Sequence, residues 1–285
     1  MTIDRKTNIL IVGLGQIGGG YAIGLTNKGY QVDAIARRQE TIDFAMDRRM
    51  LRQGAAFVDP ELVGRADIVV MALYPHILID WLAENQHLFK PGTLITDVTG
   101  VKGCIVDRVQ AMLRPDVEFV AAHPMAGRET SGVENATASV FYGANYIVTP
   151  TAKNTPENIE TCKRLGEILG FGRIAELSPA DHDEMIAFLS QLTHCVAVAL
   201  MTCNEDEHMQ SYTGDSFRDL TRIAKINDQM WSELFLLNRD NLLKEMDRFE
   251  EEMRKLRRTI EEGDREAMRT MMRAAAQRRV LFDKV

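Results

Sequence analysis

The sequence predicts an α/β protein in two parts: a doubly wound, largely parallel sheet over residues 1–172, then an all-α region over residues 173–285. Three observations carry this expectation. Short β-rich runs alternate with longer helical patterns through the first half, as βαβ units require. A glycine-rich turn follows the first of those runs directly. From about Ser178 onward the texture becomes helical throughout, which sets a boundary near residue 172.

The expected strands are NILIVG from Asn8, QVDAIA from Gln31, ADIVVMAL from Ala66, GTLITDV from Gly92, VEFVAAH from Val117 and ANYIVTP from Ala144. In the second part, SPADHDE is a strong helix start, with Ser178 as N-cap, Pro179 at the first helical position and acids in the first turn. The stretch that follows, MIAFLSQLTHCVAVALM, is apolar nearly all round, so this helix is expected to be buried between others. Leu242, Met246, Phe249, Met253, Leu256 and Ile260 repeat at spacings of 4 and 3, an a/d packing seam. Gly263 is expected to break that helix and Asp264 to cap its successor.

Composition narrows the function class. A chain of 285 residues, 45% hydrophobic, can bury a large core and build two domains. A net charge of −7 argues against a nucleic-acid surface, which needs a basic excess. Cys104, Cys162, Cys195 and Cys203 are scattered, without metal-ligand spacing, and are expected as reduced thiols. The apolar runs read as falling short of about 18–20 residues and no leader pattern precedes the first strand, so the expectation is a cytoplasmic protein with no membrane role.

Gly13, Gly15 and Gly18 in VGLGQIGGG spell G-x-G-x-x-G between the first strand and the first helix, the context in which this motif binds a dinucleotide. Gly13, Leu14, Gly15, Gln16, Ile17 and Gly18 are therefore expected at the cofactor, in a Rossmann-like domain. Asp33 lies 20 residues after Gly13, where an acid would bind the ribose of NAD. The strand runs on past it, however, and would leave it about 10 Å short of the strand end at about 3.3 Å per residue. At that end stand Ala36, Arg37 and Arg38, and two guanidiniums without an acid favour the 2′-phosphate of NADP, with NAD possible.

His123, in AAHPMAGRETSG, is expected to end the fifth strand of the parallel series, on the edge where cofactor and substrate meet. On position alone two readings stay open, a catalytic imidazole and a satisfied structural one. The neighbouring strand end, TDVTGVKG, brings Asp97, Thr99 and Lys102 to the same crevice. In the helical half, His194 and the polar run SFRDLTRIAKINDQMW, with Arg222, Lys225 and Trp231, invite an anionic substrate.

Taken together, GLGQIGGG, TDVTGVKG, HPMAGRETSG, HDEMIAFLSQLTH and FRDLTRIAKINDQMW resemble, in order and spacing, the prephenate/arogenate dehydrogenases of tyrosine biosynthesis, from Asn8 to about Phe249. The resemblance implies an NAD(P)-binding domain, a helical substrate and dimerisation domain, a homodimer, and oxidative decarboxylation of prephenate or arogenate. It puts the catalytic histidine at His123, which would take the proton of the ring hydroxyl while hydride leaves the same carbon for the nicotinamide. Thr99 and Lys102 are grouped with it, and Asp97 with the cofactor. Arg222 falls on the arginine that binds a substrate carboxylate, His194 on a second site histidine, and Asp219 and Trp231 on residues that shape the pocket. For His194 a core position on an apolar helix stays open. One departure stands out: where the family commonly has D-x-G-S-x-K, this chain has Gly100 at the serine position, and Thr99 or a water is left to supply a hydroxyl. With 285 residues, no regulatory ACT domain or fused mutase is expected. Two alternatives are a β-hydroxyacid dehydrogenase, which would leave HPMAG unexplained, and a non-catalytic dinucleotide-binding regulator.

Overall fold

A computed structural model describes residues 3–127 and 130–282. By compactness the chain forms two units, Met1–Asn238 and Arg239–Val285. The first opens with β1 (Asn8–Val12), α1 (Gln16–Thr26), β2 (Gln31–Ile35), α2 (Gln39–Asp47), β3 (Gln53–Ala55), α3 (Pro60–Arg65), β4 (Ile68–Met71), α4 (Pro75–Asn85), β5 (Leu94–Asp97), α5 (Gly103–Met112) and β6 (Glu118–Phe119). The six strands form one parallel sheet in the order β3-β2-β1-β4-β5-β6. The chain leaves β1 in one direction and returns to its other side at β4, so the crevice for a ligand opens beyond the carboxyl ends of these two strands.

Alternate residues of each strand serve the two faces. Ile9 and Ile11 pack with Tyr21, Ala22 and Leu25 of α1, while Leu10 and Val12 pack with Leu62 of α3 and with Leu78 and Leu82 of α4. Both faces are therefore dry, which is why the strands read as unbroken apolar runs.

The run VEFVAAH does not form one strand. After β6 the amide of Val120 still donates to the Ile95 carbonyl, at 2.9 Å. The chain then peels away as β7 (Ala121–Met125), which pairs antiparallel with β8 (Asn145–Thr149). A third strand, β9 (Arg173–Glu176), runs parallel to β8 and completes a separate three-stranded sheet. His123 is thus the central residue of β7, opposite Ile147, and not the end of a fifth parallel strand. At that point the Asp97 side chain takes the Ala122 amide, and the main-chain ladder ends. β9 lies just past the division expected at residue 172, and helix α6 (Pro156–Leu169) bridges β8 to it.

Helix α7 (Pro179–Ile186) starts as its sequence signals, with the Ser178 side chain accepting from the Asp181 amide. It continues through a π-helical turn, Ala187–Leu192, into α8 (Thr193–Thr202), then α9 (Asp215–Thr221) and α10 (Asp228–Leu237). Two expectations change here. The continuous helical stretch Pro179–Thr202 is, by length and composition, apolar enough to cross a membrane. It is also far from buried within the chain, since Met185, Phe188, Leu189 and Met201 are all exposed. Its polar residues nevertheless have partners inside the first unit, described below.

The second unit consists of α11 (Arg239–Glu261) and α12 (Arg265–Arg279), packed on each other around a turn at Gly263, with Asp264 capping the Ala267 amide at 2.9 Å. The expected seam leaves Phe249, Met253 and Ile260 at the surface.

Candidate active site

The glycine loop lies between the ends of β1 and β4. Gly13 has φ +100°, and a Cβ there would sit 2.3 Å from the Ala72 carbonyl oxygen. A Cβ at Gly18 would sit 2.0 Å from the Gly13 oxygen. Both positions demand glycine, one for the turn and one for close approach of helix to strand. Gly15 is different: a Cβ there would meet no described atom within 4 Å, so the backbone faces open space. As N-cap of α1 it also has no side chain to cover the first amides of the helix, which are left to an anion. This cradle fits a dinucleotide pyrophosphate. Leu14 is buried beneath the loop, Ile17 packs partly against the core, and Gln16 donates through Nε2 to Thr130 Oγ1 at 2.7 Å. That bond ties the loop following β7 to the start of α1. Arg128 and Glu129 of HPMAGRETSG lie outside the described residues.

Asp33 is taken up elsewhere. It is 1% exposed, and its carboxylate accepts from Arg52 Nε at 2.9 Å and from Arg65 Nε at 3.0 Å. At the end of β2 the side chains of Arg37 and Arg38 are exposed, with Arg38 as N-cap of α2.

The position of His123 is fixed through the residue before it. Asp97, the last residue of β5, accepts the Ala122 N–H on Oδ1 at 3.0 Å, and Lys102 donates through Nζ to the Ala122 carbonyl at 2.6 Å. The two side chains take both main-chain groups of one residue, its N–H and its carbonyl. Lys102 Nζ also reaches Asp97 Oδ2 at 2.6 Å and Thr99 Oγ1 at 3.2 Å, so its three protons have three acceptors. The Thr99 hydroxyl donates to Asp97 Oδ2 and lies 3.0 Å from the Val101 carbonyl. Asp97 and Lys102 are 0% exposed and Thr99 5%. These three were expected to meet substrate or cofactor; their hydrogen-bonding groups are turned instead on one another and on Ala122, where they hold β7 to β5. Burial lowers the pKa of Lys102 against the opposing pull of Asp97.

His123 itself is partly buried, and its Nδ1 lies 2.9 Å from Nε2 of His182, whose own Nδ1 is 2.8 Å from Asp183 Oδ1. Burial, then the neighbouring His182 and Lys102, hold the His123 imidazole well below the usual histidine pKa of 6.5. It is therefore neutral at physiological pH, the form a general base needs. Beside it, a Cβ at Gly100 would lie 3.9 Å from His123 Cε1 and 3.4 Å from Leu234 Cδ1. The Thr99 hydroxyl, engaged with Asp97, does not replace the missing serine.

Leu234 brings α10 over the site. One turn earlier on α10, Trp231 stacks on His194 at 3.7 Å between ring centroids and 29° between planes. His194 Nδ1 lies 2.8 Å from the Ser190 carbonyl, within the π-helical turn, and the residue is half-buried rather than in the core. Gln191 in the same turn donates to the Leu234 carbonyl at 3.0 Å and is joined by Asn238, which also donates to the Asp183 carbonyl at 2.8 Å. Asp219 and Arg222 are exposed, on α9 and on the short turn that packs against α8. His182, Asp183, Gln191 and Asn238 were not singled out in the sequence. Asp183 reads in the sequence as an ordinary acid near a helix start, and the signal for it, His182 and Gln191 was their place in the HDEMIAFLSQLTH motif.

A glycine cradle at the switch point of a parallel sheet, with a histidine on a strand that Asp97 and Lys102 hold against that sheet, fits a dehydrogenase that uses a nicotinamide dinucleotide. Residues 22–174 match the family model for the prephenate dehydrogenase nucleotide-binding domain, and residues 178–274 that for the prephenate dehydrogenase dimerization domain. The chain belongs to the prephenate dehydrogenase family. It is 31% identical to the prephenate dehydrogenase of Bacillus subtilis over 92% of this chain and 72% of that protein. Among solved structures, prephenate dehydrogenase from A. aeolicus in complex with hydroxyphenyl propionate and NAD+ superposes with a TM-score of 0.89, 28% identity and coverage of 99% of this chain and 100% of that one. Synechocystis arogenate dehydrogenase superposes at 0.82, with 25% identity and coverage of 97% and 100%. The family's activity is NAD(P)-dependent oxidative decarboxylation in tyrosine biosynthesis, and this chain is an oxidoreductase of that kind rather than a β-hydroxyacid dehydrogenase.

Proposed function

We propose that the protein is a homodimeric, NADP-preferring enzyme that converts prephenate to 4-hydroxyphenylpyruvate, or arogenate to tyrosine, with release of CO2. The observation that carries this reading is His123, neutral, gripped through Ala122, and tied by the Gln16–Thr130 bond to the loop that would hold the pyrophosphate. Nε2 of His123 accepts the proton of the ring C4 hydroxyl as the C4–H bond breaks. The bound nicotinamide supplies the hydride acceptor. The C1–carboxylate bond then releases CO2, and its electron pair completes the aromatic ring. Arg222 pairs with a substrate carboxylate, and His194 and Trp231 wall the pocket, with Asp219 nearby as an orienting acid.

Arg37 and Arg38 support NADP, because they stand exposed where the ribose phosphate would lie while Asp33 is locked to Arg52 and Arg65. The exposed apolar residues of α7, α8 and α11 support a second copy of the chain as their cover, in a substrate and dimerisation region running from residue 173 to 285. The test follows reduced-nicotinamide absorbance with prephenate and with arogenate, each with NAD and NADP. Replacing Arg37 and Arg38 by Ala is expected to raise the KM for NADP about 10-fold or more and leave that for NAD nearly unchanged, since charge-assisted bonds contribute roughly 1.5–3 kcal/mol. No turnover in any of the four combinations would sink the substrate assignment.

A further inference from the structure

We propose that Asp183 and His182 form a positioning relay that sets the tautomer of His123, keeping the proton on Nδ1 and the lone pair of Nε2 turned to the substrate. The inference rests on the reading of His123 as the base. Asp183 is anchored at the start of α5, where Oδ1 accepts the Lys102 amide and Oδ2 the Gly103 amide, each at 2.8 Å. Both oxygens already accept main-chain amides, so in the 2.8 Å contact to His182 the ring donates through Nδ1–H. His182 is 0% exposed, and burial disfavours its charged form. The neutral ring therefore has a bare Nε2, and the 2.9 Å contact to His123 is donated by His123 Nδ1–H. The opposite assignment would aim the Nδ1 lone pair of His182 at the carboxylate.

The geometry agrees, with the two imidazoles edge-on at 5.1 Å and 63°. When His123 takes a proton, the new charge lies at the end of a hydrogen-bonded chain whose far end is an anion. Neither Asp183 nor His182 touches the substrate hydroxyl in this scheme; they act through His123. The arrangement also accounts for Gly100. With no side-chain hydroxyl at position 100, near Cε1, the orientation of His123 is held through Nδ1, by His182.

The experiment pairs kinetics with 15N-histidine NMR on the full-length protein. In the wild type, His123 is expected to carry its proton on Nδ1, with Nε2 bare. His182→Phe removes the acceptor, and kcat should fall about 100-fold or more while KM for substrate and cofactor stays within about threefold. His182→Gln, whose amide oxygen still accepts, should recover kcat to within about 10-fold of wild type and restore the Nδ1–H signal. A wild-type spectrum with the His123 proton on Nε2 overturns the proposal, even if His182→Phe fails to fold. So does a kcat for His182→Phe within about twofold of wild type. His123→Asn serves as the separate control: turnover surviving it removes His123 as base, while the tautomer measurement still decides the relay.

Discussion

Replacing Lys102 by Met tests whether the site stands on a charged clamp. The methionine is close in length and apolar, so it fills the space and removes only the ammonium. Left behind are the Asp97 carboxylate, 0% exposed, and the Ala122 carbonyl, which loses its 2.6 Å donor. Asp97 keeps the Ala122 amide and the Thr99 amide, both at 3.0 Å, and the Thr99 hydroxyl, but no counter-charge. Breaking a buried pair on one side typically costs about 3–5 kcal/mol. At roughly 2–4 °C per kcal/mol for a domain of this size, the midpoint of thermal unfolding should fall by about 6–20 °C. Adding Asp97→Asn to the variant should recover part of that loss, because the cost lies in the stranded charge. Circular dichroism melts measure the stability, and turnover in surviving protein reports whether His123 has lost its place. A midpoint within about 2 °C of wild type would show that the clamp contributes nothing and refute the reasoning.

Two further outcomes follow from the same geometry. Gly18→Ala places a Cβ 2.0 Å from the Gly13 oxygen and 3.0 Å from Ala72 Cβ, so it should abolish dinucleotide binding in titration calorimetry and destabilise the fold by about 1–3 kcal/mol; wild-type affinity would contradict the close-approach account. Because burial holds His123 well below 6.5, the acid limb of kcat/KM should have its midpoint under that value, and a limb at or above it would count against a buried neutral base. His182 is shifted the same way. The unfolded chain binds protons on both rings near pH 6.5 and the folded chain resists them, so their stabilising contribution is full above that pH and drains away as pH falls toward the folded pKa values, readable in urea melts from about pH 7.5 to about pH 5.

The glycine loop was legible in the sequence because its chemistry is local. Gly13 and Gly18 are dictated by backbone within a few residues and by the adjacent strand, and Asp33 could be set aside by counting along β2. The helix starts at Ser178 and Asp264 were legible for the same reason. VEFVAAH was misread because its apolar pattern cannot show that a side chain twenty-five positions earlier takes the Ala122 amide and diverts the chain into a second sheet. Asp97, Thr99 and Lys102 read as reactive groups since polar residues at a strand end look alike whether they face a crevice or each other.

The sequence by itself determined the α/β class, the dinucleotide loop and the family, and singled out His123, because each is written in short-range spacing or in motifs of fixed order. Only the tertiary structure decided what surrounds that histidine. Lys102 and Asp97 grip the preceding residue, and His182, some sixty residues further on, stands against its Nδ1 with Asp183 behind it. Hydrogen bonds between buried groups depend on where distant segments meet, and that meeting is set by the packing of sheet and helices, which no local pattern encodes.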